Sequence, residues 1–162
     1  MTVRPATPDD VPAITAVYGH HVEHTVATFD LDRPTEAERA AWLAAHPGGR
    51  HRVLVAERDG AVVGFAASGP FRPRPAYDAT VETSVYLAPD ATGQGLGRAL
   101  YARLLEALAG EDVHRVLAVV AQPNPVSEAL HRSFGFTHVA TISEVGRKFG
   151  RWVDVAWWQK NL

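Results

Sequence analysis

The sequence predicts an α/β (α+β) fold: a mixed sheet of about seven strands with helices on both faces. Three observations predict it. Strand-like and helix-like runs alternate along the chain in the order β-αα-βββ-α-β-α-ββ. Asp59-Gly60 sits between two apolar runs, where a two-residue turn makes a hairpin. A turn with glycine at 93, 95 and 97 joins a β-branched run ending at Leu87 to a helical pattern opening at Leu96.

Each element has its own local reason. Val3 and Arg4 begin a short edge strand. Thr7-Pro8-Asp9-Asp10 is a helix start, with Thr7 as N-cap, Pro8 at the first helical position and acids in the first turn. Val11, Ile14, Tyr18 and Val22 then recur at helical spacing up to about His24. Thr35 and Glu38 have the spacing of a capping box for a second helix, which places Trp42 on its buried face and stops at Pro47-Gly48-Gly49. Arg52 to Glu57 and Ala61 to Ser68 are the hairpin strands, and Gly69-Pro70 interrupts the second. Thr80 to Leu87 is a further strand. Val116 to Ala121 is an apolar run suited to a buried strand. Pro125 to Phe134 reads as a short helix closed by Gly135, and Val139 to Trp158 as two strands around Gly146 to Gly150.

Composition narrows the function classes. At 162 residues, the length suits one domain, 1–162, with a full core. A net charge of −2 with no basic run argues against nucleic acid as a partner. No stretch reads as a signal peptide or as an apolar run long enough to cross a bilayer, so no membrane partner and a cytoplasmic location are expected. With zero cysteines, disulfides, thiolate metal sites and an acyl-cysteine intermediate are all excluded. His20, His21 and His24 cluster at the end of the first helix, and His20 and His24 lie four apart on one face, but without an H-E-x-x-H string they do not predict a metal site; packing in a pocket lid or a surface position is expected.

The glycine-rich turn is the strongest chemical signal. A strand feeding such a turn into a helix N-terminus presents bare N–H groups and a favourable dipole to an anion. A Walker loop is absent, and the dinucleotide fingerprint fails because its last place falls on Arg98 or Leu100. The glycines alone are equally compatible with a flexible connector. The neighbouring residues decide.

Those neighbours carry a resemblance. Thr92, Gly95 and Gly97 occupy the named positions of the Q/R-x-x-G-x-G/A pyrophosphate loop of the GCN5-related N-acetyltransferases (GNAT), with Thr92 in place of the usual Gln or Arg. Gly69-Pro70-Phe71-Arg72-Pro73-Arg74, Thr80 to Tyr86, Leu130 to Phe136 and Val145 to Asp154 extend the match from about Val3 to Leu162. The chain resembles the phosphinothricin and methionine sulfone/sulfoximine acetyltransferase branch. The resemblance implies a mostly antiparallel sheet splayed open in the middle, acetyl-CoA as co-substrate without a metal, a small-molecule amine acceptor and a homodimer.

The resemblance also assigns residues. Val85, Tyr86 and Leu87 would line the pantetheine arm, with the Leu87 N–H polarising the thioester carbonyl. Thr92, Gly93, Gln94, Gly95, Leu96, Gly97 and Arg98 would hold the pyrophosphate. Asn124 would contact CoA, and also reads as the N-cap of the next helix. Phe29, Arg72, Arg74, Glu82, Thr83 and Ser84 would surround the acceptor. Glu82 shares a strand face with Ser84 and Tyr86, where apolar neighbours raise a carboxylate's pKa, and is the expected base; the same residue also suits an ion pair with Arg72 or Arg74. Two arginines on one strand face form a fork for a carboxylate, and equally suit a solvated strand end. His131 is expected either in proton transfer or in a hydrogen-bonding role alone. Trp152, Trp157 and Trp158 are expected in the core or at a dimer interface.

The implied activity is acetyl transfer by direct attack in a ternary complex onto the α-amino group of a methionine sulfone/sulfoximine or phosphinothricin type acceptor. A non-catalytic acyl-CoA-binding module and an acetyltransferase for another small amine are the alternatives.

Overall fold

Thr7 and Pro8 start the first helical segment as their types require. In the computed structural model, which describes residues 1–162, a short 3-10 turn over Pro8–Asp10 leads into α1, Val11–His24. Asp10 closes this start. Its carboxylate accepts the Thr7 N–H at 2.7 Å and two guanidinium N–H groups of Arg4, each at 2.8 Å. These contacts, led by the Arg4 hydrogen bonds, hold the Asp10 pKa below the ordinary carboxylate range against the opposing effect of burial. The stabilisation from Asp10 is therefore complete above about pH 4 and is lost as pH falls through the depressed folded value. Asp10→Asn is expected to cost about 1–3 kcal/mol at pH 7 in urea unfolding. The gap from wild type should close in strong acid, and a gap independent of pH would refute the assignment.

The remaining elements follow in order: β1 (Thr2–Pro5) before α1, then α2 (Glu36–Ala44), β2 (Arg52–Arg58), β3 (Ala61–Pro70), β4 (Thr80–Leu87), α3 (Leu96–Ala109), β5 (Arg115–Ala121), α4 (Pro125–Ser133), β6 (Thr137–Lys148) and β7 (Arg151–Asn161). The predicted order is observed. The capping box forms, with the Glu38 N–H donating to Thr35 Oγ1 at 3.2 Å and Glu38 Oε2 accepting the Thr35 N–H at 2.8 Å. Asp59 and Gly60 both take positive φ, as a type I′ hairpin turn requires. No helix is long and apolar enough to cross a membrane.

The strands form one sheet in the order β1-β2-β3-β4-β5-β7-β6, antiparallel except for β4 with β5. The parallel pair follows from the α3 crossover between them. On one face α3 buries Leu96, Leu100, Leu104 and Leu108 against Val81, Val116, Ala118 and Trp158. On the other, α1 buries Ile14 and Val17 against Val53, Val55, Phe65 and Ala67.

Two local expectations are corrected. Gly69-Pro70 does not interrupt β3: the strand continues, pairing Gly69 with Glu82 and Pro70 with Val81. Proline needs no ladder N–H at a strand's last residue. Arg72 and Arg74 do not share a strand face, because β3 has ended and a 3-10 turn occupies Pro75–Tyr77. On α2, Trp42 lies on the inward face as expected, half-buried against the core with its ring 5.9 Å from that of Phe65, and Arg39 is buried beside it. Arg39 is 6% exposed, and its guanidinium lies over the rings of Tyr18 and Trp42 at 4.2 and 4.6 Å. Aromatic faces thus take the place of a carboxylate partner. Of the tryptophans, Trp158 is core, Trp157 packs against Phe71, and Trp152 is 58% exposed.

Candidate active site

The β4–β5 ladder stops at Thr83 and Ala118. β4 nevertheless continues on β3 as far as Leu87, and β5 continues on β7 as far as Ala121. The sheet opens between Ser84–Leu87 and Val119–Ala121. Two cavities meet in this opening and share Ala27, Val85, Tyr86, Asn124 and Ser127.

The larger cavity, about 560 Å³, lies between the end of β4 and the starts of α3 and α4. It brings together Val85, Tyr86, Leu87, Thr92, Gly93, Gly95, Leu96, Gly97, Arg98 and Asn124. Gly95 is the N-cap of α3 at φ 77° and Gly93 has φ 73°, conformations that favour glycine and leave the α3 N–H groups bare. Arg98 crosses to α4, donating to Ser133 Oγ at 2.7 Å. Asn124 caps α4, accepting the Ser127 N–H at 3.0 Å. Gln94 falls outside the cavity. Its Oε1 accepts from Arg58 and its Nε2 donates to the Asp90 carbonyl, so it braces the turn. His21, from the end of α1, also lines this cavity and was not expected there.

The smaller cavity, about 310 Å³, is walled by Phe29, Glu82, Thr83, Ser84, Tyr86 and His131 among others. The Glu82 carboxylate makes no hydrogen bond or ion pair within the protein. Burial raises its carboxyl pKa, and the positive charge of Arg72 pulls the other way. Arg72 and Arg74 are both exposed outside the cavity wall, with Arg72 stacked on Phe71 at 4.7 Å. Of the six residues expected around the acceptor, four line the cavity; of the two arginines outside its wall, Arg72 is near enough for its charge to act on Glu82.

His131 is 4% exposed. Its Nδ1 donates to the Ser127 carbonyl at 2.7 Å, so Nε2 carries a lone pair in the neutral ring. Burial lowers its pKa. Tyr101 packs edge-on against the ring at 5.2 Å and meets Thr83 at 2.7 Å between hydroxyls, which ties α4 to β4 through the core.

A lid over the smaller cavity comes from Val26 to Phe29, just after α1. Phe29 lies on Gly146, where a Cβ would overlap its ring. Lys148, 3% exposed, donates through Nζ to the Thr28 carbonyl at 2.7 Å. Tyr18 Oη donates to Asp30 at 2.8 Å and lies 2.7 Å from Thr28 Oγ1. Lys148 and Tyr18 went unpredicted in these roles, since no local pattern marks a contact spanning 120 residues.

The model of the acetyltransferase (GNAT) family matches residues 17–136. The phosphinothricin N-acetyltransferase of Streptomyces coelicolor is 49% identical, over 100% of this chain and 96% of that protein. The L-methionine sulfoximine/L-methionine sulfone acetyltransferase of Salmonella typhimurium is 40% identical, over 100% and 95%. A phosphinothricin acetyltransferase from Sinorhizobium meliloti, solved in complex with acetyl-CoA, superposes with a TM-score of 0.96 at 38% identity, over 99% of this chain and 88% of that one.

Proposed function

The chain belongs to the GNAT family of acetyl-CoA-dependent N-acetyltransferases, and on that premise we propose that it acetylates the α-amino group of a small amino-acid analogue of the methionine sulfone/sulfoximine or phosphinothricin type. The single observation that carries the acceptor site is Glu82: a half-buried, unpartnered carboxylate on the wall of the smaller cavity.

The larger cavity takes the donor. Its backbone N–H groups and Arg98 suit a pyrophosphate, and its apolar wall suits a pantetheine chain. The acceptor enters the smaller cavity with its carboxylate toward Arg72 and Arg74. Glu82 removes a proton from the ammonium, directly or through water, and frees the nitrogen lone pair. The nitrogen attacks the acetyl carbon while the Leu87 N–H bonds the developing oxyanion. The C–N bond forms, the C–S bond breaks, and the surplus proton on the attacking nitrogen passes, directly or through a relay, to the departing thiolate. With Nε2 unprotonated, His131 serves as a proton acceptor or relay and can give a proton to sulfur only after receiving one. No cysteine is present to hold an acyl group, which supports attack in a ternary complex.

The homodimer reading has support in the exposed Val139, Ile142, Val145, Phe149 and Trp152 of the β6–β7 hairpin, an apolar patch on the sheet's edge.

The test is release of free thiol from acetyl-CoA with methionine sulfone, methionine sulfoximine, phosphinothricin or a lysine peptide as acceptor. The protein adds no thiol background. Fast release with one of the first three is expected. Turnover with the peptide alone would overturn the acceptor class.

A further inference from the structure

His21 stands in the donor groove with a contact that the mechanism above leaves unused. It sits in the last turn of α1, half-buried, and its Nε2 lies 2.9 Å from the Leu87 carbonyl oxygen, 66 residues away in the chain. A carbonyl oxygen can only accept, so Nε2 carries the proton. Nδ1 faces Thr25 Oγ1 at 3.3 Å. The ring packs against Tyr86 at 5.2 Å and His20 at 5.5 Å. Burial lowers the pKa of the imidazole, with the charges of His20 and Lys148 acting in the same direction and the Leu87 hydrogen bond against them.

The orientation of β4 gives this contact its meaning. The Ala88 N–H donates to the Val63 carbonyl at 2.8 Å, so Ala88 faces β3. Successive residues of a strand present their backbone groups to opposite sides. Leu87 and Val85 therefore face the side that β5 has left, each offering one N–H and one C=O. His21 takes the Leu87 C=O. The Leu87 N–H stays open, and Val85 keeps the unoccupied acceptor.

We propose that His21 is a positioning residue for the acyl donor: by occupying the Leu87 carbonyl, it leaves Val85 as the acceptor for the donor's amide N–H groups and so sets the donor's register along β4. The inference rests on the acetyl-CoA reading of this groove. Without His21, a second acceptor opens two residues away, roughly 7 Å along the strand, and a misregistered donor competes with the productive one. A thioester carbonyl displaced from the Leu87 N–H does not react.

The experiment compares His21→Leu, which removes the donor group, with His21→Gln, which retains a side-chain N–H. Steady-state kinetics would be measured with acetyl-CoA and the best acceptor of the panel above, and acetyl-CoA affinity by calorimetry. His21→Leu is expected to raise the KM and the Kd for acetyl-CoA roughly tenfold while the acceptor KM stays put, and His21→Gln to recover most of the loss. An acetyl-CoA KM within twofold of wild type in His21→Leu, or equal loss in both variants, would overturn the proposal. Nitrogen-detected NMR of histidine-labelled wild type gives a second readout that needs no variant to fold. A proton on Nε2 with Nδ1 bare supports it, and the opposite tautomer overturns it. Wild type without affinity for acetyl-CoA would instead sink the reading of the groove itself, and the inference with it.

Discussion

Glu82→Gln is expected to lower kcat by about 10²- to 10⁴-fold, the usual contribution of a positioned base, and to leave acetyl-CoA affinity unchanged. Two observations set the direction. Glu82 has no partner in the folded protein, so the substitution breaks no ion pair and should not unfold the chain. Glutamine keeps the shape and cannot accept the proton. The pH profile gives a stricter check. Burial raises the Glu82 pKa, so the kcat/KM of wild type should fall as pH drops through that raised value, where the base becomes protonated. The acid limb should vanish in Glu82→Gln. It should move to higher pH in Arg72→Ala, because the Arg72 charge now holds the carboxylate's pKa down. A profile unmoved in both variants would show that the proton goes elsewhere. Unchanged kcat in Glu82→Gln would dismiss the base outright.

The second large effect is expected at Gly146. A Cβ there would overlap the Phe29 ring, and Phe29, 39% exposed, has room to swing outward. Gly146→Ala should therefore raise the acceptor KM about tenfold or more by displacing one wall of the smaller cavity. The acetyl-CoA KM should hold, since Phe29 does not line the donor groove. Phe29→Ala should act in the same direction. The double variant should be little worse than either single one, because both remove the same contact. Additive losses would mean that Gly146 acts through something other than Phe29. An unchanged acceptor KM in Gly146→Ala would remove Phe29 from the acceptor wall.

What could be read from the sequence was what local pattern encodes. The helix starts at Thr7 and Thr35, the Asp59-Gly60 hairpin and the glycine turn before α3 each depend on residues a few positions apart. Glu82 was legible as a carboxylate on the strand that feeds that turn. The arginines were misplaced by counting two residues as a strand period across Pro73, although Pro73 and Pro75 remove two ladder donors and favour the turn observed. Gln94 belonged to the right turn but points at Arg58, and spacing cannot give a side chain's direction. The particular contacts of His21, Arg39 and Lys148 were not legible. Each acquires its role only when distant segments meet: α1 with β4, α2 with α1, and β6 with the lid.

The opening between β4 and β5 also divides labour within the molecule. The groove on one side is framed by a strand end and two helix starts, held by main-chain ladders and caps that few substitutions can alter without unfolding. The chamber on the other side also draws on irregular segments, Val26 to Phe29 in its wall and the loop after β3 that carries Arg72, whose side chains are far freer to change. β4, Ala27 and the start of α4 belong to both. Such a molecule can retune which amine it accepts while its handling of the acyl carrier stays fixed, so diversification among relatives is expected to concentrate on those segments and to spare the strand between them.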